Sequence, residues 1–478
     1  MSSHDTPIRH ERDSLGTLEI PRTAYYGIHT MRAVRNFPFS GYNLPRPFIK
    51  ALAQVKQACA ETNKAQGYLE QKQSEAIIAA CKELESGALD EHIIVDAFQG
   101  GAGTSTNMNV NEVLANRAIE ILGGEPGDYD IVHPIHHVNM HQSTNDVYPT
   151  AFKVATLSLL TELEKHVAKL QEVLQAKEDE FRDVVKVGRT ELTDAVPMTL
   201  GMTFGAFADA IARDRWRIFK CRERIKKVNL GGTAIGTGLG APRDYVLKVT
   251  ESLRHICGLP VSRAENLLDA TQNMDAPVEV SGMLKAYAAN LMKIASDIRL
   301  MSSGPAAGLG EITLPALQSG SSIMAGKINP VMPEAITQVA LRVMGNDQTL
   351  GIAAGMGQLE LNHLMPMICH TLLESLTLLV NATGSFSKDC IAGIEANAAR
   401  CSEQVDQSNA LATVLVPVLG YAKVEKIVAD AKQSGRSVSE EIINQGIASR
   451  ETINTLLSPR RLCKMGYTPD EFDGVSKT

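Results

Sequence analysis

The chain has 478 residues, more than one hydrophobic core usually serves, and 44% of them are hydrophobic, so two or three domains are expected. A formal charge of −7 and a pI near 6.0, with no dense Lys/Arg run, exclude a phosphate-tracking nucleic-acid surface. No apolar stretch approaches the length of a transmembrane helix, the start MSSHDTPIRHERD is too polar for a secretory signal, and eight scattered cysteines without a Cys-x-x-Cys pair suit buried thiols in a reducing cytoplasm.

The first 145 or so residues mix helical patterns with irregular segments such as FPFSGYNLPRP. Within them, QGGAGTSTNMNVNEV leads from Gly100, Gly101 and Gly103 into Thr104 and Ser105, which predicts exposed backbone N–H groups at a helix start. A plain turn with an N-cap is the alternative. HPIHHVNMH gathers His133, His136, His137 and His141, but the spacing fits no familiar metal site and capping histidines are the expectation. Ser143, Thr144 and Asn145 of HQSTNDVYPT stand just before a long helix, where a carboxylate would meet both donors and dipole. An unliganded cap explains them as well.

That long helix is expected from Ala151 to about Val184, with an apolar stripe at Val154, Leu157, Leu160, Leu163, Val167, Leu170 and Leu174. GRTELTDAVPMTLG then holds Thr190, Glu191 and Asp194 ahead of another helix, as a donor-bearing loop or only a solvated turn. Helical patterns cover about 203–227, 275–301, 333–355 and 358–385. Gly and Pro punctuation divides the chain into 1–145, a central long-helix part 146–392, and a small helical part 393–478. Such helices predict an elongated bundle, too thin to bury its apolar faces alone, and hence a homo-oligomer.

Between the helices lies GSSIMAGKINP, Gly320–Pro330, too rich in Gly and Ser for a helix interior. Gly320 reads as a hinge, Ser321 and Ser322 supply hydroxyls, and Lys327 and Asn329 could grip one carboxylate by charge and by amide. Taken together, the polar stretches describe a pocket of neutral donors with one lysine. That pocket suits a small dicarboxylate.

These residues resemble the aspartase/fumarase superfamily. Gly320–Asn329 matches its signature GSSxMPxKxN except at Ala325, and GGAGTSTNMNVNEVLANRA, QSTNDVYPT, GRTELTDAVPMTLG and NLGGTAIGTGL follow in the family's order. AYYGIHTMRAVRNF, QGGAGTS and KINPVMPE lean to the aspartase branch. The resemblance implies a mainly α, three-domain protomer whose long central helices form a tetrameric bundle, with each active site shared between subunits. It implies reversible deamination of L-aspartate to fumarate, without metal or organic cofactor. A class II fumarate hydratase or a lyase of an N-substituted aspartate is the alternative, and a non-catalytic protein on the same scaffold is a third.

By similarity, Ser321 would be the general base. Thr104, Ser143, Thr144 and Ser322 would hold the carboxylate that gains charge, and Thr190, Lys327 and Asn329 the other. Asn145, with Thr104 and Glu191, would take the ammonium. Glu191 stands where fumarases carry His, and Glu334 matches the Glu that pairs with that His. Two carboxylates there would share a proton or recruit a cation. Ala325 in place of the family proline predicts a more mobile lid. Met202 and Gly240 depart from the family's Gln and Asn, and Ile135 and His136 from an Asn-Asp pair in a segment that can bind a second anion.

Overall fold

The computed structural model describes residues 7–476; Met1–Thr6, the beginning of the polar N-terminal stretch, and the last two residues lie outside them. Strands β1 (Ile8–Asp13) and β2 (Gly16–Pro21) pair antiparallel, from Ile8↔Pro21 to Asp13↔Gly16. Helix α1 (Ile28–Asn36) has no side-chain cap of its own. The buried Glu112 carboxylate serves instead, accepting from the N–H of Gly27, His29 and Thr30 and from Thr30 Oγ1. Four donors offset the desolvation that pushes this carboxyl's pKa upward. Gly27 is fixed by the same embrace, because a Cβ there would lie 2.6 Å from the Tyr129 hydroxyl.

Helices α2 (Arg46–Ala65), α3 (Gln71–Ser86) and α4 (Thr104–Ile121) follow. The long helix, α5, spans Thr144–Glu180, and its expected stripe from Leu157 to Leu174 is fully buried. It starts seven residues earlier than the sequence pattern put it, through Pro149. A proline frees the carbonyl four residues before it. Here that carbonyl, of Asn145, accepts from Asn229 Nδ2 at 2.9 Å, so the helix tolerates the break.

Next come hairpin β3 (Val185–Thr190) and β4 (Thr193–Thr199), then α6 (Leu200–Ile225). Strands β5 (Lys227–Val228) and β6 (Ser262–Arg263) pair in parallel around α7 (Arg243–Cys257). Helices α8 (Leu267–Gln272) and α9 (Asp275–Met301) lead to β7 (Ile312–Thr313), then α10 (Val331–Gly355) and α11 (Met365–Ser385). Strand β8 (Glu395–Ala396) pairs antiparallel with β7, and α12 (Ala398–Gln407) follows. The expected helices at 203–227, 275–301 and 333–355 agree with α6, α9 and α10 to within three residues.

Two expectations need correcting. The helix expected from 358 begins at Met365, because Gln358–Leu361 closes a tight turn in which Leu359 takes φ 52°. The second concerns membrane-length segments: Met365–Gly393 is long and apolar enough to cross a bilayer on length and composition alone. In the apolar window of that span, 61% of the residues are buried within the fold, as a core helix requires.

The chain divides into two compact units, each drawn from three stretches. The first comprises 1–164, 216–288 and 341–380; there α2 packs on α3 and α7, α3 packs on α4, and Phe48, Leu52, Tyr148, Phe152 and Tyr245 are fully buried. The second comprises 165–215, 289–340 and 381–478. It holds the β3–β4 hairpin against α12, with Val187, Val405 and Ala410 between them. Its C-terminal helices α13 (Ala410–Leu419), α14 (Tyr421–Ser434), α15 (Val438–Asn444), α16 (Arg450–Leu456) and α17 (Pro459–Leu462) close over Leu415, Ile427, Ile442, Ile453 and Leu456. All eight cysteines are free thiols: six are buried, Cys257 is half-buried and Cys463 is exposed.

Candidate functional site

The first unit carries the residues expected at two helix starts. Ala102 and the glycines on either side of it take positive φ (54°, 85° and 96°), which turns the chain into α4. At Gly103 no side chain fits, since a Cβ would lie 2.3 Å from the Tyr148 ring. Thr104 is therefore the first helical residue rather than the cap, exposed, with Oγ1 donating to the Gly101 carbonyl at 2.7 Å.

Ser143 to Asn145 stand on a buried polar scaffold. Asn107 Nδ2 donates to Thr144 Oγ1 at 3.1 Å, which ties α4 to the start of α5. Asp146, fully buried, accepts from the N–H of Ser143, Gly231 and Thr233, and Asn145 Nδ2 donates to the Ala234 carbonyl. The NLGGTA loop is thereby docked against the start of α5. Burial raises the Asp146 pKa to about 6 despite those three N–H donors. Behind it Lys56 Nζ, also buried, donates to Asn139 Oδ1 and Gln142 Oε1 at 3.0 and 2.8 Å. Sequence reading missed both Lys56 and Asp146. A lysine in the apolar run ALAQVKQACA was the available signal.

In the second unit, Thr190 and Glu191 do not sit in a loop before a helix. They lie at the tip of the β3–β4 hairpin, where Thr190 pairs with Thr193 across a two-residue turn. Glu191 and Leu192, the turn's central residues, take φ 53° and 62°, a conformation usually left to Asn and Gly. Both are exposed. Holding two branched or long side chains left-handed costs free energy, on the order of 1 kcal/mol each, and presents them outward.

The same unit holds the Gly320–Pro330 loop. Ser321 Oγ accepts from the N–H of Ile323 and Met324 at 3.2 and 2.9 Å. Two backbone donors aimed at one hydroxyl stabilise its alkoxide more than its neutral form. Asn329 Nδ2 donates to the Gly320 carbonyl at 2.7 Å. Gly320 is required for close approach rather than for an unusual φ, since a Cβ would lie 2.1 Å from the Lys327 carbonyl oxygen. Ser322 and Lys327 are exposed. Lys327, Asn329, Arg299 and Glu334 line an open cleft of about 920 Å³. Glu334 faces Arg299 at 3.5 Å, so the cation it recruits comes from α9.

In the histidine-rich segment, His133 and His137 accept from the backbone, and His141 Nδ1 meets Asn63 Oδ1 at 2.8 Å. His133 Nδ1 accepts from the N–H of Ile135 and His136, and His137 Nδ1 from that of His133. Burial lowers the pKa of both. Among the described residues, no group of three or more His, Cys, Asp or Glu is placed to hold a metal ion.

Comparison with known proteins covers nearly the whole chain. The lyase family profile matches residues 16–345, and a fumarase C C-terminal profile matches 411–464. An aspartate ammonia-lyase of Bacillus subtilis is 46% identical over 464 residues, 97% of this chain and 98% of that one. Its counterpart in Pseudomonas aeruginosa is 47% identical, covering 95% and 96%, and that of Escherichia coli 42%, covering 98% and 99%. Among solved structures, a fumarate lyase:delta crystallin from Brucella melitensis bound to cobalt superposes with a TM-score of 0.91 at 46% identity, covering 96% of this chain and all of that one. A class II fumarase from Schistosoma mansoni does so at 0.88 and 34%, covering 95% and 98%.

Proposed function

The chain belongs to the lyase family that contains aspartases and fumarases, and we infer that it is a carbon–nitrogen lyase converting L-aspartate reversibly to fumarate and ammonia. The observation that carries this is identity of 42–47% with aspartate ammonia-lyases over nearly the full length. The site residues are assigned on the geometry above together with the family resemblance.

Removing a proton from C3, beside a carboxylate, leaves that carboxylate doubly charged. Fixed donors must meet the new charge as it forms. Thr104, Ser143, Thr144 and Ser322 take that role, while Thr190, Lys327 and Asn329 hold the other carboxylate and Asn145 the amine. Ser321, as an alkoxide steadied by two loop N–H groups, takes the C3 proton. The C3–H electron pair becomes the C2=C3 bond as C2–N breaks and ammonia leaves. The proton on Ser321 then passes to solvent. Glu191 favours a positively charged leaving group over water, and Glu334, held by Arg299, balances charge beside Lys327. A cytoplasmic homotetramer that completes each site from several subunits belongs to the same proposal.

Ultraviolet detection of fumarate from purified protein, given L-aspartate or L-malate separately, tests the reading. Fumarate from aspartate alone, reduced at least about a thousandfold in Ser321→Ala, is expected for loss of the proton-abstracting group. Fumarate from malate would move the chain to the hydratases.

A further inference from the structure

Strand side chains alternate between faces, so residues three apart on a regular strand point opposite ways. Lys186 and Arg189 break that rule. The β3–β4 register shifts between Val187 and Arg189, and this bulge turns both cations to one side. There they meet Glu311, which is 0% exposed. Arg189 Nη1 donates to Glu311 Oε1 at 2.5 Å, and Lys186 Nζ lies 2.7 Å from Oε2, off the hydrogen-bonding direction. Arg189 Nη2 also donates to Gln404 Oε1 on α12. The Glu311 backbone is equally committed: its N–H donates to the Met301 carbonyl, and its carbonyl accepts from Asn397 N–H.

One buried residue thus joins three elements: its backbone ties the end of α9 to the start of α12, and its carboxylate holds strand β3 through Arg189 and Lys186. It stands one residue before β7, which leads to the Ser321 loop, and Arg189 is the residue next to Thr190. We propose that Glu311, through Arg189 and Lys186, is the positioning residue that holds Thr190 and the left-handed Glu191–Leu192 turn beside it in their outward-facing form for substrate. A neutral isostere at this position leaves both cations without a counter-charge in the interior. The proposal rests on the ammonia-lyase reading only for its kinetic arm.

The test uses the full chain in four variants: Glu311→Gln, Glu311→Asp, Arg189→Lys and, as control, Asp347→Asn. Asp347 is a buried carboxylate in the other unit, bonded to Ser281 and Lys285 and outside the candidate site. Amide hydrogen exchange of the peptide spanning 185–199 is read first. Exchange at Gly188–Thr193 at least about tenfold faster in Glu311→Gln, partly restored in Glu311→Asp and unmoved in the control, is expected for loss of a local clamp. The KM for L-aspartate should rise about tenfold or more in Glu311→Gln while kcat changes less, because Thr190 binds substrate before it reacts. Unchanged exchange at the turn overturns the proposal, whatever the substrate proves to be. Faster exchange with KM and kcat both within about twofold of wild type overturns the positioning role. If Glu311→Gln does not fold, Arg189→Lys, which keeps the charge but loses the fork to Gln404, carries the same two readouts.

Discussion

At the scale of single residues, Lys56 shows how much the interior spends on the candidate site. Its ammonium is buried against two amide oxygens, and desolvation lowers its pKa to about 8. Between pH 8 and 10.5 the unfolded chain keeps a proton that the folded chain has released, so this group makes stability rise with pH across that window. At neutral pH the penalty is about 3 kcal/mol, and it fades as the folded lysine deprotonates. Asp146 acts in the opposite range. Its carboxyl, raised to about 6, makes stability fall as pH climbs from about 4 to 6. Denaturant unfolding at pH 7.5 and 9.5 should show a gain for the native chain of about 2 kcal/mol relative to the same comparison in Lys56→Met. Equal pH slopes in the two proteins would refute this. The hydroxyl and amide residues assigned to the candidate site stand out in the sequence because they cluster beside glycines. Lys56, Asp146 and Glu311 do not, since a charged residue in sequence reads as surface until its burial is known.

At the scale of elements, the Ser321 loop contains a turn that invites a proline. Lys327 N–H donates to the Met324 carbonyl, and Gly326 at the third position takes φ 77° while Ala325 stays at negative φ. That is a type II turn, in which proline is favoured at the second position, the one Ala325 occupies. Ala325→Pro should therefore fold, order the loop by up to about 1 kcal/mol and slow amide exchange over 321–329. Faster exchange in the variant would show that the loop needs the Ala325 N–H or a different backbone. Long helices were legible wherever an apolar stripe persisted, as in α5. Their ends were less so: α5 runs on through Pro149, and the carbonyl that proline frees is met by the Asn229 amide, 84 residues downstream, a bond no local pattern encodes. The hairpin at 190–193 escaped notice for a related reason, because Glu-Leu is not a sequence that announces a left-handed turn.

At the scale of the whole molecule, the candidate residues are distributed over both units: Thr104 and Ser143–Asn145 in one, Thr190, Glu191 and the Ser321 loop in the other. If each site takes these groups from different subunits, two inactive proteins can repair each other. Ser321→Ala and Thr144→Ala, unfolded together and refolded in equal amounts, should regain about a quarter of wild-type activity, since random mixing makes one site in four intact. Activity no higher than that of either parent would place a complete site within one chain. Family and fold were legible from the ordered motifs, but assembly lies in relations between chains, which one sequence carries only as unpaired apolar faces. The free cysteines offer a way to follow that assembly. Burial pushes the Cys59, Cys221 and Cys390 thiols to about 12, that of Cys401 to about 11, and those of Cys81 and Cys369 upward, out of reach of thiolate chemistry at neutral pH. Cys463 stays open to solvent, so a maleimide dye will tag the native chain chiefly there. Two dye colours on two batches then turn subunit exchange into an energy-transfer signal, with no cysteine to add or remove.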